Sequence, residues 1–314
     1  MQVVTIGGGT GQYTLLSALK DLPVNITSIV SMVDSGGSTG RLRDEYGILP
    51  PGDILKCLLA LSPYTEAREI LQARFTSSEK LEGHNAGNFL LTFLTQYLSN
   101  DFPGAVDALG EILKVRGTVL PVTTDQATLV AELEDGSFVY SESAIDVGRQ
   151  DRKKIKKAFL VPHSGDLKVY PKVIQAIEQA DFVVIGPGDL YTSIIPNLLV
   201  PKVKETLQLI NKPIVFVVNI MTKFGETDGF VVDDFVQTIE KYLERSVDIV
   251  IANKTVPSDS LLEKYKEEGA DVVRIINELE GRRLLQEDLL GVGDLARHDV
   301  SKLAQVFKDL FCLY

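Results

Sequence analysis

Gln2-Val3-Val4-Thr5-Ile6-Gly7-Gly8-Gly9-Thr10-Gly11 is the stretch whose reading decides the fold. A short apolar run meets a glycine cluster. A helical pattern with Leu15, Leu16, Ala18 and Leu19 on one side follows. Strand, glycine turn and helix together form a phosphate-binding context. Without side chains the backbone of Gly8, Gly9, Thr10 and Gly11 approaches an anion closely, and the helix start supplies free N–H groups and a positive dipole end. The same glycines also suit a tight turn that holds no ligand.

Outward from that loop, the next apolar run, Ile26 to Val33, ends in Asp34 and a second glycine stretch that includes Gly37 and Ser38. Asp34 lies ~20 residues past the first loop, where an acidic residue meets a ribose in dinucleotide folds. It reads equally as a turn starter or helix cap. Arg41 and Arg43 follow and suit charge-assisted bonds to a diphosphate. Asp53, after Pro50-Pro51-Gly52, caps the next helix. Amphipathic helices then form an insertion at about 54–116, over Ala67 to Phe75, Asn88 to Leu98 and Ala105 to Val115. Gly83-His84-Asn85-Ala86-Gly87-Asn88 opens the middle one. His84 reads as part of a satisfied network. Asn85 and Asn88, so close to an apolar helix, point to contact with a bound group.

From Thr118 to Tyr140 the period shortens to three strands, with a hairpin signal at Asp135-Gly136, which predicts an antiparallel addition or edge to the main sheet. The basic run Arg149 to Lys157 reads as a solvated face that could also attract an anion. The remaining chain alternates strands with helices. The strands are Ala158 to Val161, Asp181 to Ile185, Ile214 to Val218, Val247 to Ala252 and Val272 to Ile276. The helices are Val173 to Ala180, Val203 to Ile210, Asp233 to Tyr242, Leu261 to Glu267 and Val300 to Phe311. Continuous apolar strands separated by helices predict an α/β, Rossmann-like, mostly parallel sheet covered by helices on both faces, with the helical insertion and a small antiparallel β segment. Residues 1–314 read as a single domain.

Ligands of such sheets bind beyond the carboxyl ends of strands. Four ends carry special residues: Gly7–Gly11, Asp34–Arg43, Gly186–Ser193 and Asn219–Thr227. Gly186 and Gly188 allow close approach, and Thr192, Ser193 and Thr222 offer hydroxyls. Asn219 has the donor and acceptor that suit the edge of a base. The set points to a nucleotide-linked small molecule. A net charge of −11 argues against nucleic-acid binding. No apolar run is long enough to enter a bilayer as a helix. Two distant cysteines, Cys57 and Cys312, fit a reducing cytoplasm with free thiols, and with three histidines they form no metal motif. No Gly-x-x-x-x-Gly-Lys-Ser/Thr loop is present, and Gly11 falls one residue short of a nicotinamide-type glycine spacing. These residues single out no nucleophile or general base, and Asp34 is the candidate catalytic residue only for a transferase.

Taken in order, Ile6 to Gly11, Asp34 with Gly36 to Arg43, Leu49 to Asp53, Gly83 to Asn88, Ile185 to Ile194, and Asn219 to Thr222 with Gly225 to Thr227 resemble the YvcK family, the gluconeogenesis factor group. That family is related to CofD, the 2-phospho-L-lactate transferase of deazaflavin cofactor synthesis. The resemblance implies a Rossmann-like cytoplasmic protein that binds a UDP-sugar such as UDP-N-acetylglucosamine. It further implies a regulatory role in carbon metabolism, cell shape and peptidoglycan synthesis, with cell-wall synthesis proteins and a second copy of the chain as partners. The CofD alternative implies a transferase that moves a phosphate-linked group from a nucleotide diphosphate donor to an acceptor, with magnesium. Ser35 stands where relatives often carry Asp or Asn, and Asp189 where serine is frequent. Loss of an acidic neighbour to Asp34 weakens a magnesium site there.

Overall fold

The computed structural model describes residues 1–76, 81–147 and 152–313. The chain opens with β1 (Gln2–Gly7), α1 (Gly9–Leu19), β2 (Asn25–Val30) and α2 (Gly37–Tyr46). Four helices follow: α3 (Gly52–Leu61), α4 (Thr65–Gln72), α5 (Ala86–Tyr97) and α6 (Phe102–Ile112). Next come β3 (Thr118–Pro121), β4 (Ala127–Leu133), β5 (Phe138–Tyr140), α7 (Glu142–Asp146) and β6 (Ile155–Pro162). After α8 (Pro171–Gln179) and β7 (Phe182–Ile185) the chain makes one π-helical turn, Leu190–Ile194, then α9 (Ile195–Leu198) and α10 (Val203–Leu209). It ends with β8 (Ile214–Val217), α11 (Val232–Leu243), β9 (Ile249–Asn253), α12 (Asp259–Glu267), β10 (Arg283–Glu287) and α13 (Val300–Phe311).

Seven strands form a parallel sheet in the order β10-β9-β8-β7-β1-β2-β3. From β1 the chain first steps outward through β2 to β3, then restarts at β7 and steps the other way. Right-handed crossovers that progress in opposite directions put their helices on opposite faces. The helices accordingly pack in two groups, α1 with α3 and α13, and α8 to α11 among themselves. All four residues of both β7 and β8 are buried, as two covered faces require. The order reverses between β1 and β7, so the crevice for a ligand opens there.

Three expectations change. The strand near Val119 does take the edge of the main sheet, as β3, but it pairs parallel to β2 rather than antiparallel. The small sheet is instead β5-β4-β6, and it takes the segment Ala158 to Val161 that reads in sequence as a unit of the main sheet. Val272 to Ile276 is no strand. Val272 makes a single bridge to Met221, and Val273 N–H donates to the Ile220 carbonyl, because the open edge of β9 is taken by β10. The sequence of β10, Arg-Leu-Leu-Gln-Glu, hides it, since a half-exposed edge strand needs no continuous apolar run. The second glycine stretch is also more ordered than a loop, with α2 starting at Gly37. Within the basic run, Arg149 lies outside the described residues. No helix among the described residues is long and apolar enough to cross a membrane.

Candidate functional site

A cavity of about 510 Å³ opens at the β1/β7 reversal. Its floor is Gly8 to Gly11 after β1, Pro187 to Asp189 and Ser193 after β7, and Asn219 to Phe224 after β8. The far wall brings Tyr265, Glu268 and Ala270 together with Ala296, Arg297 and His298. Three of the four predicted strand ends therefore meet in one place. The glycine loop is shaped by contact as well as by conformation. Gly9 has φ +65°, where an L side chain is strained. A Cβ on Gly11 would lie 2.2 Å from the Pro187 carbonyl oxygen, so the loop after β7 rests directly on the first turn of α1.

The helix start is not wholly free. Gly9 N–H donates to Asp53 Oδ2 at 2.7 Å, so a resident carboxylate already holds the first amide. Acidic groups suit this position for the same reason a phosphate does. The amides of Thr10 and Gly11 have no acceptor among the described residues and are left for a ligand. Asn219 uses both ends of its amide on Gly188, accepting from its N–H at 3.1 Å and donating to its carbonyl at 2.9 Å. It shapes the cavity wall, and its hydrogen-bonding edge is not open to a base. Thr192 Oγ1 donates to Glu226 Oε1 at 3.3 Å, and Thr222 Oγ1 accepts from Asp271 N–H at 2.8 Å. Gly186, at φ +69°, packs against the Val217 carbonyl behind the wall.

Residues 3–290 match the sequence signature of 2-phospho-L-lactate transferase CofD. The chain belongs to the CofD family. Among CofD-family relatives, the gluconeogenesis factor of Bacillus subtilis is 39% identical over 98% of this chain and 98% of its own length. That of Listeria innocua is 39% identical over 96% of this chain and 93% of its own. A crystal structure from Bacillus halodurans superimposes with a TM-score of 0.92 at 39% identity, covering 98% of this chain and 99% of the other.

In this CofD-family chain the fourth strand end builds a separate polar centre beside the glycine loop. Arg41 Nη2 donates to the Glu82 carbonyl at 2.7 Å and Arg43 pairs with Asp44 at 2.8 Å, so neither lines the cavity. Ser38 Oγ is 2.8 Å from His84 Nδ1 and accepts from Asn88 Nδ2 at 3.3 Å. Asn85 Oδ1 caps α5 by accepting Asn88 N–H at 2.7 Å. This asparagine and histidine cluster thus docks the insertion onto the start of α2. Asp34 accepts Gly36 N–H at 2.9 Å, and burial, with Asp53 repelling it, raises its pKa to about 6. Glu142 of α7 accepts Ser35 N–H at 3.3 Å, and burial and Asp34 raise it to about 7. A Cβ on Gly8 would come 2.7 Å from Asp53 Oδ2, so Asp53 joins this centre to the cavity.

Several residues of the site carry no signal in the sequence. Asp146 reaches the cavity from α7, and Arg297 from the turn before α13. Arg297 is the lining cation whose side chain has no hydrogen bond or ion pair among the described residues. Lys223 is fully engaged. It pairs with Asp146, with Asp189 at 2.8 Å and with Glu226 at 3.5 Å. Lys223 and Glu226 do lie inside the Asn219–Thr227 stretch, but only the fold shows what they face. The Glu226 side chain is fully buried, and burial, with Asp189 repelling it, raises its pKa to about 8.

Magnesium, which the transferase alternative implies, prefers several oxygen ligands. Among the described residues one group of three carboxylates has ligand oxygens within 4.8 Å of one another, Asp146, Asp189 and Glu226. The Lys223 ammonium fills its centre. That donor set does not fit a magnesium ion while Lys223 is in place.

Proposed function

We propose that this chain is a regulatory protein that binds a nucleotide-linked sugar of the UDP-N-acetylglucosamine kind and serves carbon metabolism and cell-wall and cell-shape control. The observation that carries the reading is a cavity at the sheet's reversal point with two chemically different sets of lining groups. One set, from the floor, offers the Thr10 and Gly11 amides and the Ser193 hydroxyl, and the far wall adds the Arg297 guanidinium, which has no partner among the described residues. The other offers Ile220, Met221, Ala296 and the rings of Phe224 and Tyr265. An anionic diphosphate suits the first and a base or sugar face the second. The volume falls within the roughly 300–1,000 Å³ of small-molecule sites. The relatives called gluconeogenesis factors support the metabolic side of the reading.

Calorimetry with UDP-N-acetylglucosamine tests it. Saturable one-to-one binding without turnover is expected. No heat with that ligand, while other nucleotides bind, would sink the assignment. The transferase reading is favoured by one observation, the carboxylate of Asp34 held near pH 6 beside the glycine loop. It requires Asp34→Asn to abolish transfer from a nucleotide diphosphate donor while sparing most of the binding. Transfer that survives the substitution removes Asp34 from catalysis.

A further inference from the structure

The Lys223 group is built from three separate segments. Asp146 comes from the end of α7, Asp189 from the loop before the π-helical turn, and Lys223 and Glu226 from the turn after β8. Hydrogen bonds fix the turn and join it to its neighbours. Glu226 Oε2 accepts Tyr191 N–H at 3.0 Å. The Lys223 backbone N–H donates to Thr227 Oγ1 at 2.8 Å, and its carbonyl accepts Thr227 N–H at 2.9 Å. Arg152 ties the turn to α7 by donating to the Ala144, Ile145 and Gly225 carbonyls. Lys223, Asp146 and Asp189 all line the cavity.

Three carboxylates with oxygens within 4.8 Å of one another cannot all ionise unaided. Left empty, such a group would either hold a divalent cation through hard oxygen ligands or repel an incoming diphosphate. An ammonium has three N–H donors, and here three carboxylates surround it. Two of those donors are spent on Asp146 and Asp189, and Glu226 stands 3.5 Å from the ammonium as an ion-pair partner. The effect of Lys223 on an anionic ligand runs through the charge it cancels on Asp146 and Asp189, which makes it a positioning residue.

We propose that the Lys223 ammonium stands where a divalent cation would otherwise be needed, so that this chain takes a nucleoside diphosphate sugar without a metal ion. The proposal rests on the nucleotide-sugar reading of the cavity. It also makes a statement about the three carboxylates that needs no nucleotide to check.

The experiment compares the full-length chain with Lys223→Met. UDP-N-acetylglucosamine is titrated by calorimetry in EDTA and again in magnesium or manganese, and manganese alone is counted by electron paramagnetic resonance. Wild-type affinity should agree within about twofold with and without metal. Lys223→Met should lose about tenfold or more in EDTA, the scale of one uncompensated charge, and regain most of it with manganese. The variant should bind one manganese ion where the wild type binds none. Rescue by metal separates charge cancellation from a mere loss of packing. A wild-type chain that needs magnesium overturns the proposal, as does a variant that binds normally in EDTA or a folded variant that takes up no manganese. If no uridine ligand binds under any condition, the nucleotide-sugar reading fails, and the manganese count still decides the carboxylate group. If Lys223→Met does not fold, the wild-type comparison in EDTA decides alone.

Discussion

Asp34→Asn should stabilise the folded chain at neutral pH. The half-buried side chain sits just past the end of β2 beside Asp53, and its pKa is raised from 3.8 to about 6. Below about pH 4 the carboxyl is protonated in both folded and unfolded chains and has no effect on the balance. As pH rises toward 6 the unfolded carboxyl ionises freely, whereas the folded one resists, so stability falls. Above pH 6 the full penalty is present. The interval between 3.8 and about 6 corresponds to roughly 3 kcal/mol. Asparagine keeps the shape and an oxygen for the Gly36 N–H, found here at 2.9 Å, but it forfeits the attraction to Lys56. A net gain of about 1–3 kcal/mol at pH 8, shrinking by about half at pH 5, is therefore expected. Urea denaturation of both proteins at the two pH values measures it. A variant less stable than wild type at pH 8, or a gain equal at both values, would refute the reasoning. A carboxylate kept at such a cost beside a ligand cavity is what a functional group looks like energetically.

Gly11→Ala places a methyl group 2.2 Å from the Pro187 carbonyl oxygen. Forcing the two loops apart should cost about 1–3 kcal/mol of stability and weaken nucleotide binding. Unchanged melting and unchanged calorimetry would count against the contact. Asn219→Ala strands the Gly188 N–H and carbonyl. It should cost about 1–3 kcal/mol and loosen the cavity wall, read as faster hydrogen exchange at Gly188. Cys57 is buried with its thiol pushed up to about 12, whereas Cys312 is exposed. A thiol reagent at pH 8 should therefore label one cysteine in the native protein and two in urea. Two rapid native reactions would contradict the burial of α3.

The glycine loop, the apolar strands and the order of the elements were legible in the sequence because they are local. A strand buried on both faces must be continuously apolar, as Phe182–Ile185 and Ile214–Val217 are. Helix α13 was legible for the same kind of reason, an apolar period over Val300 to Phe311, and the structure adds Asp299 as its cap. Edge strands escaped this logic. β10 is half exposed, so its residues are free of the pattern, while Val272 to Ile276 carry the pattern yet bond to a loop.

The sequence by itself therefore determined the α/β class, the sheet's apolar strands and three of the loops that line the cavity, since each depends on residues close together in the chain. Only the tertiary structure decided which polar groups meet. It drew Arg41 and Arg43 away to Glu82 and Asp44, left Arg297 facing the cavity, and gathered Asp146, Asp189 and Glu226 around Lys223 from distant segments. Charges act over a few ångströms through space, and no spacing along the chain records that distance.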